Sequence, residues 1–396
     1  MWRDVVTASA QLPFRQEHPL EAAPELRALQ ARGPIHRVRT AVGDEAWLVT
    51  GYAQVRKLLD GDRLGRSHRT PDTAARSRVA ALIGGPIGNF ETEPADHSRM
   101  RALLQPHFSP KHLRSLLPRV EALTAGLLDE LAHAGPPADL HAKLALPLPI
   151  LVICELLGVP YSDRGCFRSW ADDAAFAADR AVSERAMIEL LDYGTSLVER
   201  KRAHPDDDVI SRLCASDDLT DVEVATLSMQ LLFAGYETTV FQIWLTALQL
   251  LTSPDQWHAL RENPALIPKA VEELLRAGFG GGVGIPRYVR DDFDIDGITM
   301  RAGDLVLLDA GAANHDPSAF ADPDRIDVGR AGGTHLTFGY GSHYCVGAAL
   351  ARMELNAAFS QLIPRFASMR LTVDPAQLAI ESDAMADGLV ELPVAW

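Results

Sequence analysis

The sequence predicts a mainly α protein, in which one long central helix and small β-sheets form a single domain spanning residues 1–396. Helical periodicity covers most of the chain from His97 to Arg276. Short runs of alternating apolar and polar residues, typical of strands, lie near 35–50 and 288–309. No internal repeat or low-complexity linker divides the chain, so these parts are expected to share one fold.

The N-terminal part begins with a predicted strand pair, Ile35 to Arg39 and Ala46 to Thr50, which turns at Gly43-Asp44. A short helix is predicted from Tyr52 to Leu59. From Asp60 to Pro94 the pattern is irregular and rich in Arg, Thr, Ala and Gly. Long loops inside compact enzymes are often binding elements or lids, and we expect such a role here.

The central helix is predicted from Thr220 to Thr252. Thr220 and Glu223 fit a capping box, in which a hydroxyl and a carboxylate satisfy the first free backbone amides, and Pro254 ends the helix. About 32 residues at a rise of 1.5 Å span roughly 48 Å, enough to cross a whole domain. Because this helix is apolar on all faces, we expect it to be central and buried.

The last part of the chain is predicted to return to strands and then to helix. Residues Tyr288 to Asp309 contain short strands with turns at Asp296-Gly297 and Ala302-Gly303. One more helix is predicted after Gly347, running to about Leu362.

Composition and charge narrow the function classes. The chain has 38 basic and 53 acidic residues, a net charge of −15, which argues against a nucleic-acid partner. Two apolar stretches, 146–160 and 227–251, are too short or too often interrupted by polar residues to cross a membrane. The first residues lack a secretory signal, so a cytoplasmic setting is expected. The four cysteines are scattered and fit neither a disulfide framework nor a four-cysteine metal cluster.

Residues 234–239, Ala-Gly-Tyr-Glu-Thr-Thr, interrupt the apolar pattern of the central helix. Glycine costs about 1 kcal/mol against alanine in a helix, so a structural helix has no need of it. One interpretation is a local widening where a small ligand approaches the backbone while Glu237 and Thr238 relay protons. The other is a buried glutamate paired with an arginine, and threonines that hydrogen-bond to the preceding turn. The hexapeptide alone favours neither.

The loop 338–347, Phe-Gly-Tyr-Gly-Ser-His-Tyr-Cys-Val-Gly, carries the second pattern. Gly339 and Gly341 allow a tight turn, and Cys345 falls at a helix N-terminus, where amides and the helix dipole stabilise a thiolate. Gly347 lets the chain pass close by. A lone cysteine is usually inert packing; a nucleophile needs an oriented base, and a protein metal site needs more ligands. A thiolate without companions suits an iron whose other ligands come from a porphyrin.

Both patterns resemble motifs of the cytochrome P450 family. The loop resembles the haem-binding signature Phe-Gly-x-Gly-x-His/Arg-x-Cys-x-Gly, residues 234–239 resemble the oxygen-activation motif, and the resemblance covers nearly the whole chain. It implies a P450-like fold and haem b, iron protoporphyrin IX, with Cys345 as the axial ligand of the iron. Further contacts with the haem are then expected from Ala234, Gly235, Phe338, Gly339, His343 and Gly347.

The resemblance also implies partners for the haem propionates and a buried charge triad. By position, the propionate partners are His97, Arg101, Arg287 and His335. Glu273-Leu-Leu-Arg276 resembles the family's Glu-x-x-Arg helix, and its third member is expected to be Arg325. Such a triad would fix the geometry of the cysteine side.

The implied activity is insertion of one oxygen atom from O2 into an apolar small molecule, by hydroxylation or epoxidation, in natural-product tailoring. Thr238 would hydrogen-bond to dioxygen, and Glu237 would supply protons. Electrons are expected from a ferredoxin and its reductase, because the chain has no flavin or nicotinamide domain and no cysteine set for an iron–sulfur cluster. The candidate docking charges are Arg99, Lys111, Arg114 and Arg352.

Two other functions stay open. A peroxide-driven or oxidative-coupling haem enzyme would share nearly every residue named above, whereas a gas-binding sensor would have no use for Glu237 and Thr238. The chain also departs from the family pattern. Glycine-rich residues 278–284 replace a more apolar, proline-bearing segment that usually faces substrate, and Asp387 stands where many relatives have arginine. Both departures concern the shape or rim of the substrate pocket.

Overall fold

The computed structural model describes residues 10–16, 18–80, 82–176, 179–278, 284–381 and 388–396. The predicted mainly α class with small sheets is confirmed in these residues. The helices are α1 (Pro24–Gln30), α2 (Tyr52–Asp60), α3 (Glu93–Leu104), α4 (Pro110–Ala134), α5 (Pro147–Leu157), α6 (Arg164–Phe176), α7 (Arg180–Ala203), α8 (Val209–Cys214), α9 (Asp221–Leu251), α10 (Pro254–Glu262), α11 (Ile267–Arg276), α12 (Ala310–Asn314) and α13 (Ala348–Arg365).

Short strands form the sheets. They are β1 (Ala10–Gln11), β2 (Ile35–Arg39), β3 (Glu45–Val49), β4 (Leu64–Gly65), β5 (Ala138–Asp139), β6 (Ile285–Val289), β7 (Phe293–Ile295), β8 (Ile298–Met300), β9 (Leu305–Leu308), β10 (Arg370–Leu371), β11 (Ile380–Glu381), β12 (Gly388–Leu389) and β13 (Pro393–Ala395). The largest sheet has the order β1-β2-β3-β9-β6-β4, so the two strand regions predicted near 35–50 and 288–309 join in one sheet. A second sheet has the order β10-β13-β5, and β7-β8 and β11-β12 are two-stranded.

The central helix α9 is the axis of the larger hydrophobic core. The predicted capping box is present, since Thr220 Oγ1 accepts from the amide of Glu223 and the Glu223 carboxylate accepts from the amide of Thr220. Two glycines let neighbouring helices pack closely against it. A Cβ on Gly235 would lie 2.7 Å from Ile153 of α5, and one on Gly194 of α7 would lie 2.9 Å from Met229.

The loop after α2 matches the prediction of a long irregular segment. Between α2 and α3 its regular elements are β4 and a single 3-10 turn at Pro71–Thr73. The apolar stretch 146–160 contains the buried helix α5, as expected. In the described part of the chain, no helix is long and apolar enough to cross a membrane.

The buried charge triad forms, but with a different third member. Glu273 and Arg276 are paired at 2.8 Å, and both side chains are almost fully buried. The third cation is Arg330, whose Nε lies 3.0 Å from both Glu273 carboxylate oxygens. The prediction of Arg325 is wrong, because its side chain is exposed and it contributes only its carbonyl oxygen, which accepts from Arg330.

The two departures near the substrate pocket lie mostly outside the described residues. Of the glycine-rich run, Gly278 and Gly284 are described, and positions 279–283 and Asp387 are not. Gly284 has a left-handed backbone (φ +66°), and a Cβ there would lie 2.9 Å from the backbone of Leu307. Glycine is therefore required where the chain enters β6.

Candidate active site

Local hydrogen bonds and glycines fix the cysteine loop. The amide of Cys345 donates to the carbonyl of Phe338 at 2.8 Å, which closes the loop on itself. Gly339 (φ +73°) and Gly341 (φ +67°) have left-handed backbones, and a Cβ on Gly341 would lie 2.8 Å from the carbonyl oxygen of Leu59. The loop thus turns tightly against the end of α2, as the two glycines predicted, and delivers Cys345 to the N-terminus of α13.

The thiol of Cys345 faces a cavity. The residue is exposed although it lies inside the protein, because its surface opens to the cavity. The pKa of the thiol is raised, mainly by burial. The effect of burial is opposed by two backbone amides and two cations, those of Gly347, Ala348, Arg101 and Arg352. The positive charge of a bound metal ion would favour the thiolate form of this sulfur. The donor set therefore fits an iron bound through one sulfur.

Two cavities of about 560 and 500 Å³ share Cys345, His343 and Arg287 in their walls. Each volume lies within the range of about 300–1,000 Å³ that is typical of ligand sites. The smaller one lies between α9 and the cysteine loop, and its walls include the predicted cofactor contacts Ala234, Gly235, Phe338, Gly339 and Gly347. The larger one extends from Cys345 to α3 and the loop after β4.

The middle of α9 has an unusual exposed face. Ala234 and Thr238 are exposed in the mostly buried middle of the helix, and both line the cavity that also contains Cys345. Thr238 Oγ1 donates to the carbonyl of Ala234 at 2.8 Å, and Thr239 Oγ1 donates to that of Gly235 at 3.1 Å. The threonines thus hydrogen-bond to the preceding turn, α9 stays a continuous α-helix, and Thr238 still presents its side chain to the cavity.

Glu237 lies on a different face of α9 from Thr238 and is not in the cavity wall. Burial raises the pKa of its carboxyl to about 7; the charge of Asp172 on α6 adds to the effect, and Arg168 opposes it. A carboxyl with this pKa can both accept and release a proton near neutral pH. The nearby arginine of the alternative interpretation is thus Arg168, although no hydrogen bond joins it to Glu237 in the described residues.

Positive groups crowd one end of the larger cavity. The ring of His97 stacks on that of His343, with 3.9 Å between the ring centroids. Burial lowers the pKa of Arg287 to about 10, and Arg66 adds to this; burial lowers the pKa of His343 to about 4, and Arg287 and His97 add to that. The positive charges of Arg66 and Arg287 repel each other unless an anion binds between them, whereas His343 is neutral near pH 7. This end of the cavity therefore fits a ligand with carboxylate groups.

Three of the four predicted propionate partners belong to this cluster. His97, Arg101 and Arg287 line the larger cavity, as does His343. His335 does not line either cavity: its Nε2 lies 3.2 Å from the carboxylate of Glu272, so the prediction for His335 is wrong. Arg66 lines the same cavity, although it was not among the residues predicted from the sequence. Its only signal was the abundance of arginine in the loop after α2.

The predicted docking residues differ in whether a carboxylate already binds their charge. Arg352 donates to both carboxylate oxygens of Glu272, at 2.6 and 2.9 Å, and Arg99 donates to Glu223 at 2.7 Å. Although burial would raise it, the hydrogen bonds from His335 and Arg352 hold the pKa of Glu272 at about 2. Arg352 is thus part of a fixed ion pair beside the cysteine loop. Lys111 and Arg114 are exposed on the first turns of α4.

Known proteins share this sequence and this architecture. The family model described as "Cytochrome P450" matches residues 178–378. Pentalenolactone synthase from Streptomyces exfoliatus is 41% identical, with 98% of this chain and 99% of that protein aligned. The mycinamicin IV hydroxylase/epoxidase of Micromonospora griseorubida is 40% identical, over 97% of this chain and 98% of that protein.

Structural similarity is equally extensive. The crystal structure of substrate-free cytochrome P450 PimD, a polyene macrolide antibiotic pimaricin epoxidase, matches with a TM-score of 0.86. That match covers 98% of this chain and 100% of the other, at 39% sequence identity. Identity at this level over whole chains shows common membership, and with it the haem iron cofactor and monooxygenase activity. The chain belongs to the cytochrome P450 family.

Proposed function

We propose that this chain uses haem b to insert one oxygen atom of O2 into an apolar natural-product intermediate, by hydroxylation or epoxidation. The observation that carries this proposal is the position of three groups around one space. Cys345 opens to it from the cysteine loop, Thr238 faces it from α9, and a cluster of cations closes one end. A flat cofactor with one metal and two carboxylates has the chemistry to use all three.

Cys345 would bind the haem iron through its sulfur. The amides of Gly347 and Ala348 and the cations Arg101 and Arg352 support negative charge on its sulfur. Phe338, Gly339 and Gly347 on one side and Ala234 and Gly235 on the other would hold the macrocycle. When bound, the haem supplies the reduction of dioxygen and the transfer of one oxygen atom to the substrate.

The cations at the end of the larger cavity would bind the propionates. Arg101 donates to the carbonyl of Tyr344 at 2.9 Å, which directs it toward the cysteine loop, and Arg287 comes from β6. His97 and His343 add two ring nitrogens each. Burial, and after it repulsion from neighbouring cations, lowers the pKa of Arg287 and His343. The negative charge of the propionates would offset that repulsion.

Glu237 and Thr238 would deliver protons. The hydroxyl of Thr238 is in the cavity wall, where it can donate a hydrogen bond to a small ligand. Glu237, with a pKa of about 7, is one residue away and faces the charged pair Arg168 and Asp172 on α6. Glu237 would therefore exchange protons on the side of α9 that faces α6 and would be the proton source for Thr238 in the cavity wall.

The substrate would be largely apolar. The larger cavity is lined by Leu82, Ile83, Ile87, Met100, Leu104 and Ile285, together with the cations already described. Such a wall binds by removal of apolar surface from water, with few polar groups to fix orientation. The relatives are described as a pentalenolactone synthase, a mycinamicin IV hydroxylase/epoxidase and a polyene macrolide antibiotic epoxidase, which supports a natural-product intermediate as substrate class.

A ferredoxin with its reductase would supply the electrons. Lys111 and Arg114 are the best docking charges, because Arg99 and Arg352 are bound to Glu223 and Glu272. Ferredoxins are typically acidic, and exposed cations near the cysteine side would steer such a partner. The cytoplasmic setting expected from the sequence stays a prediction.

Turnover tests this function. Purified protein with haem would be supplied with NADPH, ferredoxin, ferredoxin reductase and a panel of apolar natural-product intermediates that shift the iron to high spin. We expect oxygenated product under these conditions. Product with peroxide, and none with the NADPH-driven system, would overturn the monooxygenase proposal in favour of a peroxide-driven enzyme.

A further inference from the structure

Arg66 lies beside a second arginine, Arg287, and within the described residues its guanidinium makes no hydrogen bond or ion pair. Strands β4 and β6 are antiparallel, with Gly65 opposite Tyr288. Arg66 follows Gly65, and Arg287 precedes Tyr288, so the two arginines are neighbours across the ladder. Like charges directly opposite one another in a sheet are destabilising. Both guanidinium groups line the same cavity. No carboxylate among the described residues bridges them.

Backbone hydrogen bonds fix the position of Arg66, whose side chain lines the cavity. The amide of Arg66 donates to Glu93 Oε1 at 2.6 Å, and its carbonyl accepts from the amide of Ile87 at 2.9 Å. In the described part of the chain, no side-chain hydrogen bond or ion pair of this guanidinium is present. Its charge nevertheless acts on His97, Arg287 and His343, since it lowers the pKa of each.

Glu93 makes no hydrogen bond to the Arg66 guanidinium in the described residues, because its oxygens already have other donors. Its charge opposes, but does not cancel, the lowering of the Arg66 pKa by burial. Besides the amide of Arg66, the carboxylate accepts from the amide and the hydroxyl of Ser67 and from Arg290. Although burial alone would raise it, these donors lower the pKa of Glu93. A Cβ on Gly65 would lie 2.7 Å from Glu93 Oε2, so glycine is needed for this close approach.

The same carboxylate ties together both ends of the loop 67–92. Ser67 at its start is bound to Glu93, and Phe90 near its end accepts a hydrogen bond from Arg290 at 2.8 Å. The guanidinium of Arg290 also lies 4.2 Å from the centre of the Phe90 ring. Between these ends, the loop contributes Ser77, Arg78, Leu82, Ile83, Gly85 and Ile87 to the cavity wall. Arg66 therefore lies directly before the loop that would cover the substrate.

We propose that Arg66 is a further propionate-binding cation. A carboxylate bound to it would fix the start of loop 67–92, so that cofactor binding positions the loop on the substrate side. This inference rests on the proposal that the cofactor is haem b, whose two propionates supply the carboxylates. It gives the unpartnered guanidinium an anion, and it explains why arginines stand side by side at this point. Residues 67–80 and 82–92 would then be held more firmly in the haem-loaded protein.

Haem transfer to an excess of apomyoglobin tests the first part. A charge-assisted hydrogen bond is worth about 1.5–3 kcal/mol, so Arg66→Gln should release haem roughly tenfold faster than the unaltered protein, or more. Arg63→Gln is the matched control, since Arg63 is exposed in the same segment and is not in the cavity wall. Arg66→Lys should restore part of the affinity. Equal release rates for Arg66→Gln and the unaltered protein would overturn the inference.

Esterified haem separates a carboxylate contact from a general structural effect. With the dimethyl ester of haem, which lacks propionate charge, the unaltered protein and Arg66→Gln should release the cofactor at the same rate. A tenfold difference that persists with the ester would show that Arg66 acts on the fold and would contradict the inference. If the unaltered protein bound no haem at all, the proposed function would fail instead.

Cleavage of the loop tests the coupling. Thermolysin cleaves before apolar residues, and Leu82, Ile83 and Ile87 offer sites in loop 67–92. We expect haem to slow cleavage in this loop severalfold in the unaltered protein and in Arg63→Gln, but much less in haem-saturated Arg66→Gln. Equal protection by haem in all three proteins would contradict the coupling of loop and cofactor.

Discussion

Two groups of charged side chains flank the cysteine loop, and they balance charge in opposite ways. In the buried triad, Glu273 is bound by Arg276 and Arg330, and the remaining donors of both arginines reach backbone carbonyls. In the cation cluster, Arg66, His97, Arg101, Arg287 and His343 face a cavity. Nearby Glu93 already accepts from other donors, and Asp309 is a further carboxyl group in the cavity wall. The first group is complete within the protein. The second is complete only with an anionic ligand.

The difference separates structural charges from binding charges. A closed set such as the triad keeps its geometry whatever the cavity holds, because every donor has its acceptor. An open set stores unfavourable repulsion in the empty protein and loses it when carboxylates arrive. Removal of one member should therefore have opposite effects on the stability of the protein without haem.

The largest effect is expected from the triad. Glu273→Ala leaves Arg276 and Arg330 buried without an anion, which should cost about 3–5 kcal/mol in the free energy of unfolding and give little haem-loaded protein. Urea unfolding measures this, with exposed Glu262→Ala as control, because surface pairs are worth about 0–1 kcal/mol. Normal yield and stability of Glu273→Ala would contradict a structural role for the triad.

The same measurement distinguishes Arg330 from Arg325. Arg330→Leu should be strongly destabilising, since Glu273 would lose its bidentate partner and the carbonyls of Ala321, Asp322 and Arg325 their donor. Arg325→Leu should change stability by less than about 0.5 kcal/mol, because that side chain is exposed. The reverse order would restore Arg325 as the third member.

The open cluster should respond with the opposite sign. Arg287→Gln removes a buried cation from mutual repulsion, so the haem-free protein should gain about 1 kcal/mol in unfolding free energy. The same substitution should weaken haem binding, because a propionate loses a charge-assisted partner. Urea unfolding of the haem-free protein and haem titration measure the two effects. Loss of stability without haem would break the comparison between the clusters.

These clusters also show how far sequence reasoning reaches. The cysteine loop and the pair Glu273 and Arg276 could be predicted because short, fixed spacings carry their geometry. Arg325 was wrong because the irregular segment around it has no periodicity to indicate which arginine turns inward. Arg66 was missed since its place depends on pairing between β4 and β6, which are distant in sequence. His335 was assigned to the propionates from its position along the chain, but its side chain turns to Glu272.

The smallest effect concerns pH. Since the pKa of Glu237 is raised to about 7, its carboxyl is protonated below that pH and ionised above it. We expect product formed per NADPH to fall as pH rises through about 7, and Glu237→Gln to remove this dependence. Asp172→Asn, by removing a like charge, should move the midpoint to lower pH, and Arg168→Gln should move it to higher pH. Unmoved midpoints in both variants would contradict the assignment of Glu237 as proton source.

The bond between Cys345 and iron is the central claim, and the spectrum of the reduced protein with carbon monoxide tests it most directly. The unaltered protein should show the red-shifted Soret band of thiolate ligation. Cys345→Ala should lose that band, while Cys154→Ala, which removes a buried cysteine that lines neither cavity, should keep it. A thiolate band that persists in Cys345→Ala, or its absence from the haem-loaded unaltered protein, would contradict the account.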